Sequence, residues 1–146
     1  MPFPFNVRVY GLLLHEGRVL VSDEFIKGQH ITKFPGGGLE FGEGTRAGLK
    51  REIREELGLE AEIGDHVYTT DFFVESAWFR GDQVLSIYYR FHVADLAQIQ
   101  VVNTPFEGVG PEQEEAFRWL SLEEASRNDM SLPIDKHVLG LLLDRA

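Results

Sequence analysis

The chain has 146 residues, 24 acidic and 14 basic, for a formal net charge of −10 with histidines neutral. That length suits a single domain spanning residues 1–146. The acidic surplus disfavours a nucleic-acid duplex as partner, and a polyphosphate substrate would need a cation between itself and the protein. The absence of cysteine excludes disulfides, thiolate zinc sites and cysteine nucleophiles. The longest apolar runs, 12–14 and 138–143, fall short of a membrane span. The start, Met1-Pro2-Phe3-Pro4-Phe5-Asn6, carries no secretory pattern. These features give the expectation of a cytoplasmic protein with no membrane partner.

Residues 7–14 and 18–21 are apolar and β-branched with Glu16-Gly17 between them, which predicts a hairpin. A polar loop is expected from Asp23 to about Lys33. A glycine cluster follows at Gly36, Gly37 and Gly38, with Gly42 and Gly44 beyond it. So much glycine predicts unusual backbone angles or a close approach to another group. Residues 45–57 are predicted as a helix, with Thr45 as N-cap and Gly58 ending it. The period then changes to two, predicting strands over 62–74 and 84–93 joined through Arg80-Gly81-Asp82-Gln83. Residues 95–112 read as irregular and 116–120 as a short strand. Ser121-Leu122-Glu123-Glu124 carries a capping-box pattern for a short helix, and Pro133 opens a last helix through Leu142. No repeat or low-complexity tract is present. The element order predicts a mixed sheet with helices packed on its faces.

The helix has three faces. Leu49, Ile53 and Leu57 form an apolar stripe at i, i+4, i+8, directed at a core. Arg46, Lys50 and Arg54 form a basic stripe. Glu52, Glu55 and Glu56, at i, i+3, i+4, crowd three carboxylates together, at a cost of about 0.2–0.5 kcal/mol per like-charged pair on an exposed helix. One reading of this trio is a solvated acidic face. The other is a site for a hard divalent cation, Mg²⁺ or Mn²⁺, because such ions take carboxylate oxygens. The neighbouring glycine bend favours the second, since it can bring backbone groups beside the same ion.

The segment from Gly37 through Glu43 to Arg51-Glu52-Ile53-Arg54-Glu55-Glu56-Leu57-Gly58-Leu59 resembles the signature of the Nudix hydrolase family, MutT-like members included. The Pro35-Gly36-Gly37 lead-in and the Arg118-Trp119-Leu120-Ser121-Leu122 passage resemble the family too. The resemblance implies an α/β/α sandwich, the Nudix fold, with a mixed sheet between helices. It also implies Mg²⁺- or Mn²⁺-dependent hydrolysis of a nucleoside diphosphate linked to another group. By the same resemblance Glu52, Glu55 and Glu56 hold the ions, joined by the carbonyl of Gly36. Glu43 and Arg51 brace the loop against the helix. A further acidic residue comes from downstream: Glu112, Glu114 and Glu115 are candidates, with Glu112 favoured. The base is either that residue or Glu52.

The substrate markers of several subfamilies are absent around Phe73-Val74-Glu75-Ser76, which leaves a nucleoside triphosphate or a nucleotide-sugar-like diphosphate as the expected small-molecule partner. The alternatives are a Nudix-fold module that binds a nucleotide without cutting it, and an interaction protein whose acidic helix is only a soluble face. His15, His30, His66, His92 and His137 show no paired ligand spacing and are assigned structural or surface roles. Tyr68, Phe72, Phe73, Trp78, Phe79, Tyr88, Tyr89 and Phe91 are assigned mainly to a core or a homodimer surface. Arg8, Lys33 and Arg90 are read as ordinary paired or surface charges, with phosphate contact as the alternative.

Overall fold

Alternating apolar strands and one strongly amphipathic helix are resolved in a computed structural model that describes residues 4–77 and 81–144. Met1, Pro2 and Phe3 of the leading segment, Trp78 and Phe79 among the aromatics, and Arg80 of the expected connection lie outside the described residues. The elements are β1 (Phe5–Leu12), β2 (Leu14–His15), β3 (Arg18–Ile26), β4 (Gln29–Lys33), β5 (Gly36–Gly38), α1 (Thr45–Leu57), β6 (Ala61–Thr69), β7 (Gln83–Val93), β8 (Glu115–Ser121) and α2 (Pro133–Asp144). They fall into two compact units. One joins Met1–Leu12 to Gly36–Ala94, the other Leu13–Pro35 to Asp95–Ala146.

The first unit is built on a mixed sheet in the order β5-β1-β7-β6. β1 runs parallel to β7, from Phe5 opposite Gln83 to Leu12 opposite Arg90. It runs antiparallel to β5, with Arg8 opposite Gly38 and Tyr10 opposite Gly36. The apolar stripe of α1 packs on this sheet, so that Leu49 and Ile53 are fully buried together with Val9 and Phe91. Leu57, at the end of the stripe, is only half-buried. The basic stripe anchors the other flank. Arg46 lies over the Tyr89 ring and donates to the carbonyl of Gly64 at 2.8 Å, and Arg54 meets Glu60 at 2.6 and 2.9 Å.

The second unit holds an antiparallel sheet in which β3 pairs with β2, β4 and β8. Both of its hairpins turn through paired residues of positive φ, Glu16-Gly17 and Lys27-Gly28, as the twist of two-residue turns requires. The predicted polar loop over 23–33 is therefore wrong: this stretch is the second hairpin. Its charges are satisfied inside the sheet. Asp23, fully buried, accepts from Arg118 at 2.6 and 3.2 Å, from the Thr32 hydroxyl at 2.7 Å and from the Phe106 amide at 3.0 Å.

Four further expectations are corrected. The first hairpin is β2–β3, while the longer β1 pairs elsewhere. Gly44, not Thr45, is the N-cap of α1; Thr45 opens the helix and its hydroxyl bonds the Tyr89 hydroxyl at 2.7 Å. β6 stops at Thr69, where Thr70 exchanges hydrogen bonds with Ser86 through its backbone and hydroxyl, leaving Phe72 and Phe73 exposed on an irregular segment. Residues 122–124 form a turn rather than a helix, and the capping box belongs to Ser126 and Asp129, flanking a 3₁₀ turn at Arg127–Asp129. Among the described residues no helix is long and apolar enough to cross a membrane.

Candidate active site

A loop of glycine and glutamate leads from β5 into α1, and one carboxylate holds it. Glu43 accepts from the Glu40 amide at 2.8 Å and from Arg51 Nη2 and Nε at 2.7 and 3.0 Å. The Arg51 hydrogen bond, aided by the Glu40 amide, holds the Glu43 carboxyl down to about 2. The same contact raises the Arg51 guanidinium further above its ordinary range. Arg51 also donates to the carbonyl of Gly38 at 3.0 Å, tying β5 to the helix. Its remaining nitrogen, Nη1, reaches Glu52 at 3.0 Å and Glu55 at 3.2 Å.

The glycine bend lies directly against the acidic face. A Cβ at Gly37 would stand 2.8 Å from the carboxyl carbon and both oxygens of Glu52, so only glycine leaves room for that carboxylate in its present place. The Gly36 amide donates to Glu56 at 3.3 Å. The expectation for Gly36 concerned its carbonyl; the group in contact with an acidic side chain is its amide. The structure thus brings together Gly36, Glu43, Arg51, Glu52, Glu55 and Glu56 in one unit. Glu52 is 14 % exposed and Glu55 57 %, so the trio grades from the bend outward to solvent.

Glu112 and Glu114 lie in the second unit, both exposed. Glu112 sits in a loop beside a cavity lined by Gly108, Val109, Gly110, Pro111 and Gln113, and the Glu114 carbonyl accepts from the Phe25 amide at 2.8 Å. Glu115 is different. It shares the Ser22 hydroxyl with Glu24, at 2.9 and 2.8 Å, and Glu24 in turn meets Lys33 at 3.0 Å. Burial, reinforced by the charge of Glu24, pushes the Glu115 carboxyl up to about 7. Sequence reasoning missed Ser22 and Glu24: Glu24 fell in the stretch read as a loop and Ser22 just before it, and β3 is buried without a break from Val19 to Asp23, so no alternation marked the strand. Lys33 is a buried, paired charge, as expected of it.

Among the described residues no three His, Asp or Glu side chains are gathered as a ready-made ion cage. The Arg51 guanidinium instead bonds two carboxylates of the trio, Glu52 and Glu55. The histidines serve other contacts: His30 lies edge-on to Phe25 and Phe106, and His66 bonds Thr69 at 2.7 Å.

Comparison with known proteins places this arrangement in a family. The CTP pyrophosphohydrolase of Escherichia coli (strain K12) is 34 % identical over 61 residues, which cover 40 % of this chain and 45 % of that protein. The chain thus aligns with less than half the length of that relative. Among solved structures, the E. coli ORF135 protein superposes with a TM-score of 0.71 at 26 % identity, covering 99 % of this chain and 93 % of that one. The MutT NUDIX hydrolase from Burkholderia pseudomallei superposes with a TM-score of 0.70 at 21 % identity, covering 92 % and 95 %, a likeness of fold. The model of the NUDIX domain matches residues 2–141, a span that runs through both units and takes in the whole glycine–helix segment, and the chain belongs to the NUDIX family.

Proposed function

We propose that the protein is a Mg²⁺- or Mn²⁺-dependent pyrophosphohydrolase acting on a nucleoside triphosphate or a nucleotide-sugar-like diphosphate. One observation carries this reading: on a single helix beside a glycine bend, Glu52 fills the space left by Gly37, and Glu56 is held by the Gly36 amide. The all-oxygen donor set suits a hard cation that keeps several waters and shares its shell with substrate phosphates, so a closed cage of side chains is not required. Glu52, Glu55 and Glu56 would hold the ion. When bound, it offsets the charge of the phosphoryl oxygens and lowers the pKa of the attacking water.

The chain's own residues do the rest. Glu43 and Arg51 fix the loop against the helix, which fixes where the Glu52 carboxylate stands. Glu52, the least exposed of the carboxylates that Arg51 Nη1 meets, is assigned to accept the proton of the attacking water. Glu112, in the second unit, is taken as the downstream acidic residue on the family resemblance alone. The relative named for CTP puts pyrimidine nucleoside triphosphates first among substrates to try.

The test is a product screen over nucleoside triphosphates and nucleotide sugars with Mg²⁺ or Mn²⁺, run beside Glu56→Ala. Release of a nucleoside monophosphate is expected, with turnover in the variant lower by about 10²–10⁴-fold at unchanged circular dichroism. Variant activity near that of the native chain would remove the site assignment. Nucleotide binding without cleavage would favour a binding module instead.

A further inference from the structure

The Arg51 guanidinium has two edges with different partners. Nε and Nη2 are committed to Glu43 and to the Gly38 carbonyl, at 2.7–3.0 Å for the shortest contacts. These partners tie β5 and the loop to α1, alongside the Gly36 amide on Glu56. Nη1 adds only a longer contact to that tie, 3.5 Å to Glu40 of the loop; its hydrogen bonds go to Glu52 at 3.0 Å and to Glu55 at 3.2 Å, two of the three carboxylates assigned to the ion. Glu56 is held separately, by the Gly36 amide. Without Nη1 the neighbouring carboxylates on one helix face would repel one another.

We propose that Arg51 is an exchange partner for the divalent ion. In the ion-free protein its Nη1 edge holds Glu52 and Glu55, and ion binding passes both carboxylates from the guanidinium to the metal. The inference rests on the metal-dependent reading above. No proton moves, because a guanidinium stays charged throughout. The Glu43 and Gly38 contacts keep the rest of the side chain in place while Nη1 gives up its partners. Ion affinity is then set by a competition inside the site as well as by the carboxylates themselves.

Charge-preserving substitution separates competition from bracing. Arg51→Lys keeps a cation for Glu43 but has one nitrogen, which cannot also span Glu52 and Glu55. Mn²⁺ binding to the substrate-free protein, read by electron paramagnetic resonance of the free ion, is expected to be about fivefold tighter in this variant. Its ion-free thermal midpoint is expected to fall. Arg54→Lys, on the same helix but paired with Glu60, should leave Mn²⁺ affinity unchanged. A second reading needs no variant. During a Mg²⁺ titration of the native chain, the ¹⁵N resonance of Arg51 Nη1 should shift while Nε, on Glu43, stays. Unchanged or weaker Mn²⁺ binding in a folded Arg51→Lys overturns the exchange, as does a Nη1 signal indifferent to bound Mg²⁺. If the native chain binds neither ion, the metal-dependent reading falls and the exchange with it.

Discussion

Gly37 and Glu52 illustrate how much of this site is decided by the space around one carboxyl group. Adding a methyl group at Gly37 puts it 2.8 Å from the whole Glu52 carboxylate, and the end of that flexible side chain must move. Gly37→Ala is therefore expected to lower turnover by about 10²-fold, the usual consequence of a misplacement near 1 Å, while the thermal midpoint changes little. Kinetics and melting on the same preparation check both halves. Glu43 acts on stability instead. Its carboxyl is held down to about 2 by Arg51 and the Glu40 amide, against 4.5 when free. The unfolded chain takes up that proton first, so the stabilisation is complete above pH 4.5 and disappears as pH falls from 4.5 towards 2. Denaturant melts across that window should show a shallower acid loss in Glu43→Gln, which is less stable than the native chain at neutral pH.

At the scale of elements, α1 was legible because everything that makes it is local. The apolar stripe, the acidic trio and the terminating glycine all lie within fourteen residues, and the helix occupies 45–57 as read. Gly58 closes it at φ 70° and ψ 18°, donating its amide to the Arg54 carbonyl at 2.9 Å. Any side chain there meets the left-handed penalty, so Gly58→Ala should cost roughly 1–2 kcal/mol. A lower urea midpoint at constant slope would show it. The β3–β4 hairpin was illegible for the opposite reason. Asp23 and Glu24 make the segment look like a loop; the partner that lets Asp23 sit in a strand, Arg118, comes from about ninety residues away, and Glu24 is met by Lys33 only once the hairpin has formed. The turn itself, Lys27-Gly28, lacks the Asn or Asp that usually announces one. The site divides in the same way. The trio and its Arg51 brace could be read from spacing, whereas the Glu115 cluster exists only once three strands have paired.

Across the molecule, two carboxyls with opposite shifts set opposing pH slopes, one in each unit. Glu115 is pushed up to about 7 by burial and by Glu24, so between 4.5 and 7 the folded chain holds a proton that the unfolded chain has released. Its contribution is fully present below pH 4.5 and is lost as pH rises through 7, the reverse of Glu43. A net charge of −10 works in the same direction as Glu115, since each further ionised carboxylate adds repulsion in the compact state. Between them these two residues favour highest stability near pH 4.5–5, on the acid side of neutrality. Glu115→Gln keeps the shape and a hydrogen bond for Ser22 but has no charge to bury. Melts of the native chain should decline from pH 5 to pH 8, and those of the variant should decline less, leaving it the more stable of the two at pH 8. Parallel curves for the two proteins would mean that Glu115 is ionised in the fold at neutral pH, with Lys33 compensating both carboxylates rather than Glu24 alone.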